Sequence, residues 1–255
     1  MIESRGHINP GTPGTSLRRV PIGLDDLVRW VWTARWDLPP GRTVRQRVLQ
    51  YPAFNVVAGP RAATLHGPRT GVDVRELAGR SWVVGVLLRP GATPLFTTTA
   101  PAALRGGEEP VTGAPLAELT AAVEGDGDPA AVVRAWLEPW ADAVTDAGRL
   151  VNRACALAES RSDVVRADQL ADLVGVAPRT LERLVRGHIG LTPLWLIECR
   201  RLQHAAAVLR TDPDTGLAGL AAELGYADQA HFTRRYRAVL GETPGATRRA
   251  ARAAG

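Results

Sequence analysis

The rhythm of apolar and polar positions changes twice along the chain. Between residues 24 and 96 the apolar runs are short, among them Trp30-Val31-Trp32, Phe54-Asn55-Val56-Val57 and the run from Trp82 to Leu88. Turn residues separate them at Pro39-Pro40-Gly41, Gly59-Pro60, Gly67-Pro68 and Arg89-Pro90-Gly91. Runs of this length bounded by such residues predict strands, and their close spacing predicts a small β-barrel or sandwich. After a Pro- and Gly-rich passage over residues 101–115, apolar positions recur at helical spacing over 116–123 and 129–144. The second of these helices places Val132, Val133, Trp136, Leu137, Trp140 and Val144 along one stripe. From residue 149 onward the pattern is helical throughout, broken at Gly175, Gly190, Asp212-Pro213-Asp214, Gly225 and Gly241. The predicted organisation is of the α+β class. A disordered tail (1–20) precedes a β-rich domain (21–100), then a helical linker (101–148) and an all-α domain (149–255).

The helical domain repeats itself. Leu170-Ala171-Asp172-Leu173-Val174-Gly175-Val176 aligns with Leu220-Ala221-Ala222-Glu223-Leu224-Gly225-Tyr226 at a spacing of fifty. Past one inserted residue the match continues: Leu181 meets Phe232, Arg183 meets Arg234, Gly190 meets Gly241, and Thr192-Pro193 meets Thr243-Pro244. Each unit writes a short helix with a Leu-Ala face, a Gly that closes it in a left-handed conformation, an apolar residue and a second helix. That is the pattern of a helix-turn-helix. The second helices begin with Pro178 in the first unit and behind the cap Asp228 in the second. Between the units, Thr192 caps and Pro193 opens a helix that ends near Thr211. Its about 18 residues span roughly 27 Å, close to the ~34 Å between successive major-groove faces on one side of B-DNA.

Charge adds direction to this picture. All 31 basic residues are Arg, and residues 149–255 hold 16 of them against 11 acidic residues, whereas residues 1–148 hold 15 against 15. The net +5 therefore belongs to the repeated domain, as suits a module that meets phosphates. Cys155 and Cys199 lie far apart in helical runs without a CxxC pair, so they read as small core residues in a reduced cytoplasm. No stretch approaches 18 apolar residues, and the expected location is cytoplasmic, with no membrane contact.

At Arg201-Leu202, Leu220 to Tyr226, Asp228-Gln229-Ala230-His231-Phe232, Tyr236 and Gly241 to Pro244, the chain resembles the AraC/XylS family of transcription regulators. The resemblance covers residues 150–250 and implies two DNA-reading helices, near 178–188 and 229–240. Ala177, where relatives often place a capping Ser, and the bulky Trp195 depart from the pattern. On the first reading helix Leu181, Leu184 and Val185 form the apolar stripe, so Arg179, Glu182, Arg183 and Arg186 project away from it. The family likeness puts Arg179, Glu182 and Arg183 at base edges, where Arg donates to guanine and Glu accepts from cytosine. On the second helix it presents Ala230, His231, Thr233, Arg234 and Arg235, with Arg234 the strongest reader. Gln229 and Arg237 suit phosphates equally well. The implied partner is double-stranded DNA, with RNA polymerase a further candidate.

The N-terminal part resembles the small cupin-type β-barrel found ahead of such domains. A sensor for a small-molecule effector is expected there, with Trp30, Trp32, Trp36, Phe54 and Trp82 either lining its pocket or forming core. The 129–144 helix is open between homodimerisation and docking within the chain. Three rivals remain: a cupin-type metalloenzyme, a protein-interaction module fused to the helices, and a repair protein with a methyl-accepting Cys. Only His7 and His66 stand in the N-terminal part, too few for a cupin metal set. No Walker loop, Gly-x-Ser-x-Gly or HExxH occurs, so no cofactor, metal or catalytic residue is expected.

Overall fold

The computed structural model describes residues 14–49, 51–69 and 72–254. Its N-terminal half is built on a six-stranded antiparallel sheet. Strands β1 (Thr15–Val20), β2 (Val28–Asp37), β4 (Asn55–Ala58), β5 (Ala63–His66), β7 (Arg80–Leu88) and β8 (Glu108–Pro110) lie in the order β1-β2-β7-β4-β5-β8. Strands β3 (Thr43–Leu49) and β6 (Val72–Ala78) pair as a separate ribbon. Residues 15–20, expected in a loose tail, are thus an edge strand in full register with β2, from Thr15 opposite Trp36 to Val20 opposite Val31. His7 and the rest of that tail lie outside the described residues.

The sheet does not close into the expected barrel. Its core face carries Val31, Val56, Leu65, Val84 and Val86, all buried. Helices cover that face: α1 (Leu116–Glu124) and α2 (Pro129–Leu137) add Leu119, Val123, Val133 and Leu137 to the same cluster. An antiparallel sheet needs only one covered face, and here the covering is helical. The 129–144 helix ends at Leu137 because Pro139 cannot continue it, and a 3-10 turn follows over Glu138–Trp140. There Trp136, Trp140 and Phe96 stack edge to face at 5.8–6.3 Å. The apolar stripe is used within the chain.

Seven helices follow among the described residues: α3 (Asp146–Ser160), α4 (Ala167–Val174), α5 (Pro178–Ile189), α6 (Pro193–Thr211), α7 (Leu217–Glu223), α8 (Gln229–Leu240) and α9 (Pro244–Ala254). They enclose two cores, one around Leu170, Leu181, Val185 and Ile197, the other around Leu202, Leu220, Phe232 and Tyr236. Helix α6 contributes to both.

The halves meet along α3. Gly91, in the 3-10 turn Pro90–Leu95, lies so close to Gly148 that a Cβ on it would stand 2.3 Å from the Gly148 carbonyl oxygen. Beside this contact the buried Asn152 side chain accepts from Gly91 N–H at 2.7 Å and donates to Asp26 C=O at 2.9 Å. Arg29 of β2 donates to Glu159 of α3 at 2.5 Å, and its guanidinium stacks on Trp30 and Tyr51. Asn152→Leu keeps the branched outline of the side chain but strands the buried Gly91 amide, at a cost of about 1 to 3 kcal/mol. Thermal unfolding is expected to show this as a lowered midpoint; an unchanged midpoint would mean that the bridge adds nothing.

Candidate nucleic-acid interface

In the first helical unit α4 buries Leu170, Ala171 and Val174 against Leu181, Val185 and Ile189 of α5. Gly175 closes α4 with φ +79°, and the equivalent Gly225 takes +69°. Arg153 of α3 reaches across to donate to the Val174 carbonyl at 2.8 Å, satisfying an orphan acceptor at the end of α4. Helix α5 starts at Pro178 behind Ala177, which has no side chain to cap it. With its apolar stripe inward, α5 leaves Arg179, Arg183 and Arg186 exposed, while Leu184 and Glu182 are half-buried. Glu182 holds Arg186 at 2.6 Å, one helical turn on. Among the described residues Arg179 and Arg183 have no acidic partner, so their donors remain available.

The second unit repeats the arrangement with aromatic packing. The ring of Tyr226 meets that of Phe232 at 5.4 Å, and Phe232 meets Tyr236 at 5.5 Å, which anchors α8 over the turn. The Tyr236 hydroxyl is bonded to Thr247 of α9 at 2.8 Å. Asp228 caps α8 by accepting from the His231 amide at 2.6 Å, a bond that holds its carboxyl below the usual range. Gln229, Ala230, Arg234 and Arg237 are exposed; His231, Thr233 and Arg235 are half-buried. The His231 ring packs against Tyr226 at 5.4 Å. Arg234 lies in the field of Asp228 but makes no direct ion pair with it or any other acidic side chain among the described residues, whereas Arg235 is gripped through Nε and Nη2 by Glu198 of α6. Sequence reasoning missed Glu198, because its partner stands 37 residues away. The signal was its place on the linker helix, one turn before Arg201.

Between the units Thr192 caps α6 by accepting from the Trp195 amide at 3.0 Å, and the 19 residues of the helix run about 28 Å. Cys155 and Cys199 are buried, and burial pushes both thiols up to about 12, so neither supplies a thiolate at neutral pH.

The five aromatic residues of the expected ligand pocket are not brought together. Phe54 is wholly buried in the sheet core, and Trp82 is buried with its indole N–H on Glu124 of α1 at 3.4 Å. Trp30, Trp32 and Trp36 alternate onto the opposite face of β2. There the Trp32 ring lies across Gly85 and its N–H reaches Asn55 at 3.2 Å, while Trp36 donates to the Ala78 carbonyl. Trp36 and Trp82 border one open groove with Arg35 and Arg80, adjoining a smaller one of about 250 Å³ between Arg18, Thr33 and Asp128. No helix of the described residues is long and apolar enough to cross a membrane.

Two helix-turn-helix units on a shared helix define a double helix-turn-helix domain. Residues 170–250 match the family described as helix-turn-helix domain, and residues 21–110 match a domain of unknown function (DUF6597). The chain is 36% identical over 80 residues to the HTH-type transcriptional regulator GlxA of Rhizobium meliloti, covering 31% of this chain and 24% of that one. It is 33% identical over 103 residues to the HTH-type transcriptional activator RhaS of Escherichia fergusonii, covering 40% and 36%. Among solved structures, a probable AraC family transcriptional regulator from Rhodopseudomonas palustris shares 26% identity over 40% of this chain and 97% of its own, with a TM-score of 0.38. The chain thus spans about a quarter to a third of the lengths of the two curated relatives. Over its helical domain the chain is thus similar to these regulators, in keeping with the resemblance of its sequence to the AraC/XylS family.

Proposed function

We propose that this protein is a sequence-specific, DNA-binding transcription regulator that reads two adjacent major-groove segments with α5 and α8. The observation that carries this reading is the exposure of Arg179, Arg183 and Arg234, none of them in an ion pair with an acidic side chain among the described residues, on the outer faces of helices whose other faces are locked into their cores. Unpaired guanidinium groups on a rigid helix suit bidentate contact with guanine edges. Arg179, Glu182, Arg183 and Arg186 belong to the first reading surface, and Gln229, Ala230, His231, Thr233, Arg234 and Arg235 to the second. In this reading the protein is a regulator rather than an enzyme and acts in the cytoplasm on double-stranded DNA. RNA polymerase and a second copy of the chain are its candidate partners. The sheet domain is its sensor half, a cupin-like fold left open, and the grooves beside Arg18, Arg35 and Arg80 suit a small effector better than the dispersed aromatic residues do.

Selection of bound fragments from a random DNA pool tests the reading. The purified protein is expected to enrich a motif with two elements about one helical turn apart. Arg183→Ala should blur one element and Arg234→Ala the other, each at about 1 to 3 kcal/mol. A uniform loss across all sequences would demote the residue to a phosphate contact, and no enrichment would count against the reading itself.

A further inference from the structure

Buried polar groups in folded proteins are nearly always bonded, so orphans call for an explanation. Two lie side by side where α6 passes the turn of the second unit. Arg201 is 8% exposed, and its Nε and Nη2 are buried without a hydrogen-bond partner among the described residues. Its guanidinium stacks on the Tyr226 ring at 4.4 Å, and the Tyr226 hydroxyl is likewise buried and unbonded. The empty edge of Arg201 is the one that Arg161 and Arg235 use to grip carboxylates. It is built for a bidentate acceptor.

An acceptor stands close by. Glu198 precedes Arg201 by three residues on α6, so the two side chains share a face. The Glu198 side chain is 14% exposed and bound to Arg235, whose own side chain is 40% exposed on the reading helix α8. Glu198, Arg201 and Arg235 all act on the Tyr226 hydroxyl. Burial, the largest influence on that hydroxyl, pushes it up to about 12, so at neutral pH it stays protonated and can donate.

We propose that Glu198 is a shared carboxylate that restrains Arg235 in the free protein and passes to Arg201 and Tyr226 when DNA takes Arg235. The exchange would move the Glu198 carboxylate along the helix face that it shares with Arg201. It satisfies both orphans and delivers Arg235 to a phosphate or base edge of the segment that α8 reads. Glu198 and Tyr226 are then positioning residues for a DNA contact, and the inference rests on the DNA-binding reading.

Tyr226→Phe separates this exchange from a structural role, because it removes only a hydroxyl that is unbonded in the free protein. Removing such a group leaves stability unchanged or slightly raised. The exchange predicts an unchanged or slightly raised thermal midpoint and about tenfold weaker binding to the DNA motif selected by the wild-type protein, the scale of a lost hydrogen bond to a charged group. In a Glu198→Ala background, which leaves no side-chain acceptor at that position, the same substitution should have no further effect on binding. Unchanged affinity, a lowered midpoint, or an equal loss in the Glu198→Ala background would overturn the exchange. Failure of the wild-type protein to select any motif would instead overturn the DNA-binding reading beneath it.

Discussion

Gly190→Ala is expected to destabilise the protein by about 2 to 5 kcal/mol, clearly more than Gly175→Ala. Both glycines close a helix in the left-handed region, at φ +76° and +79°, where a side chain costs about 1 to 2 kcal/mol. They differ in surroundings. A Cβ on Gly175 meets nothing within 4 Å, whereas on Gly190 it would stand 2.7 Å from the backbone of Pro101 and 2.8 Å from that of Ala102. Backbone on both sides cannot yield like a flexible side chain, so the extra cost is of the overpacking kind, about 1 to 3 kcal/mol. The overlap can be relieved only by moving the loop after the 3-10 turn away from the end of α5. Paired thermal unfolding of the two variants checks this, since their difference reports the contact between the sheet half and α5. Equal midpoints would show that this contact is soft.

Phe232→Ala is expected to be at least as severe, at about 3 to 5 kcal/mol. The side chain is wholly buried between Tyr226 and Tyr236, so truncation removes both ring contacts and leaves a cavity in the second core. That core is distinct from the one under α5. The damage should therefore concentrate in the second unit: hydrogen exchange of α7 and α8 amides is expected to accelerate well before that of α4 and α5. In DNA selection the element read by α8 should vanish while the other persists. Simultaneous loss of protection in all four helices would show that α6 couples the two cores into one cooperative unit.

The helical half was legible because its signals are local. Gly175 and Gly225 mark left-handed turns, Thr192 and Asp228 mark caps, and the Leu-Ala faces recur at a fixed interval. What the sequence obscured depends on residues far apart. The strand over residues 15–20 has few apolar positions, and only its pairing with β2 makes it a strand. Closure of a barrel depends on what covers the sheet, and a stripe of apolar residues on a helix does not say whether it covers a sheet or a second chain. The five aromatic residues share a residue class but not a face. Trp30, Trp32 and Trp36 follow the period of two along β2, while Phe54 and Trp82 point to the opposite side. In the same way Arg235 was visible as a reader candidate, but not its restraint by a carboxylate on another helix.

The two thiols gain a use from where they are buried. Cys155 lies in the first core and Cys199 in the second, and neither ionises near neutral pH while its core is closed. Alkylation by a thiol reagent therefore waits for each core to open. The two labelling rates, separated by peptide mass, act as two internal clocks, one timing the breathing of each helical unit without any engineered probe.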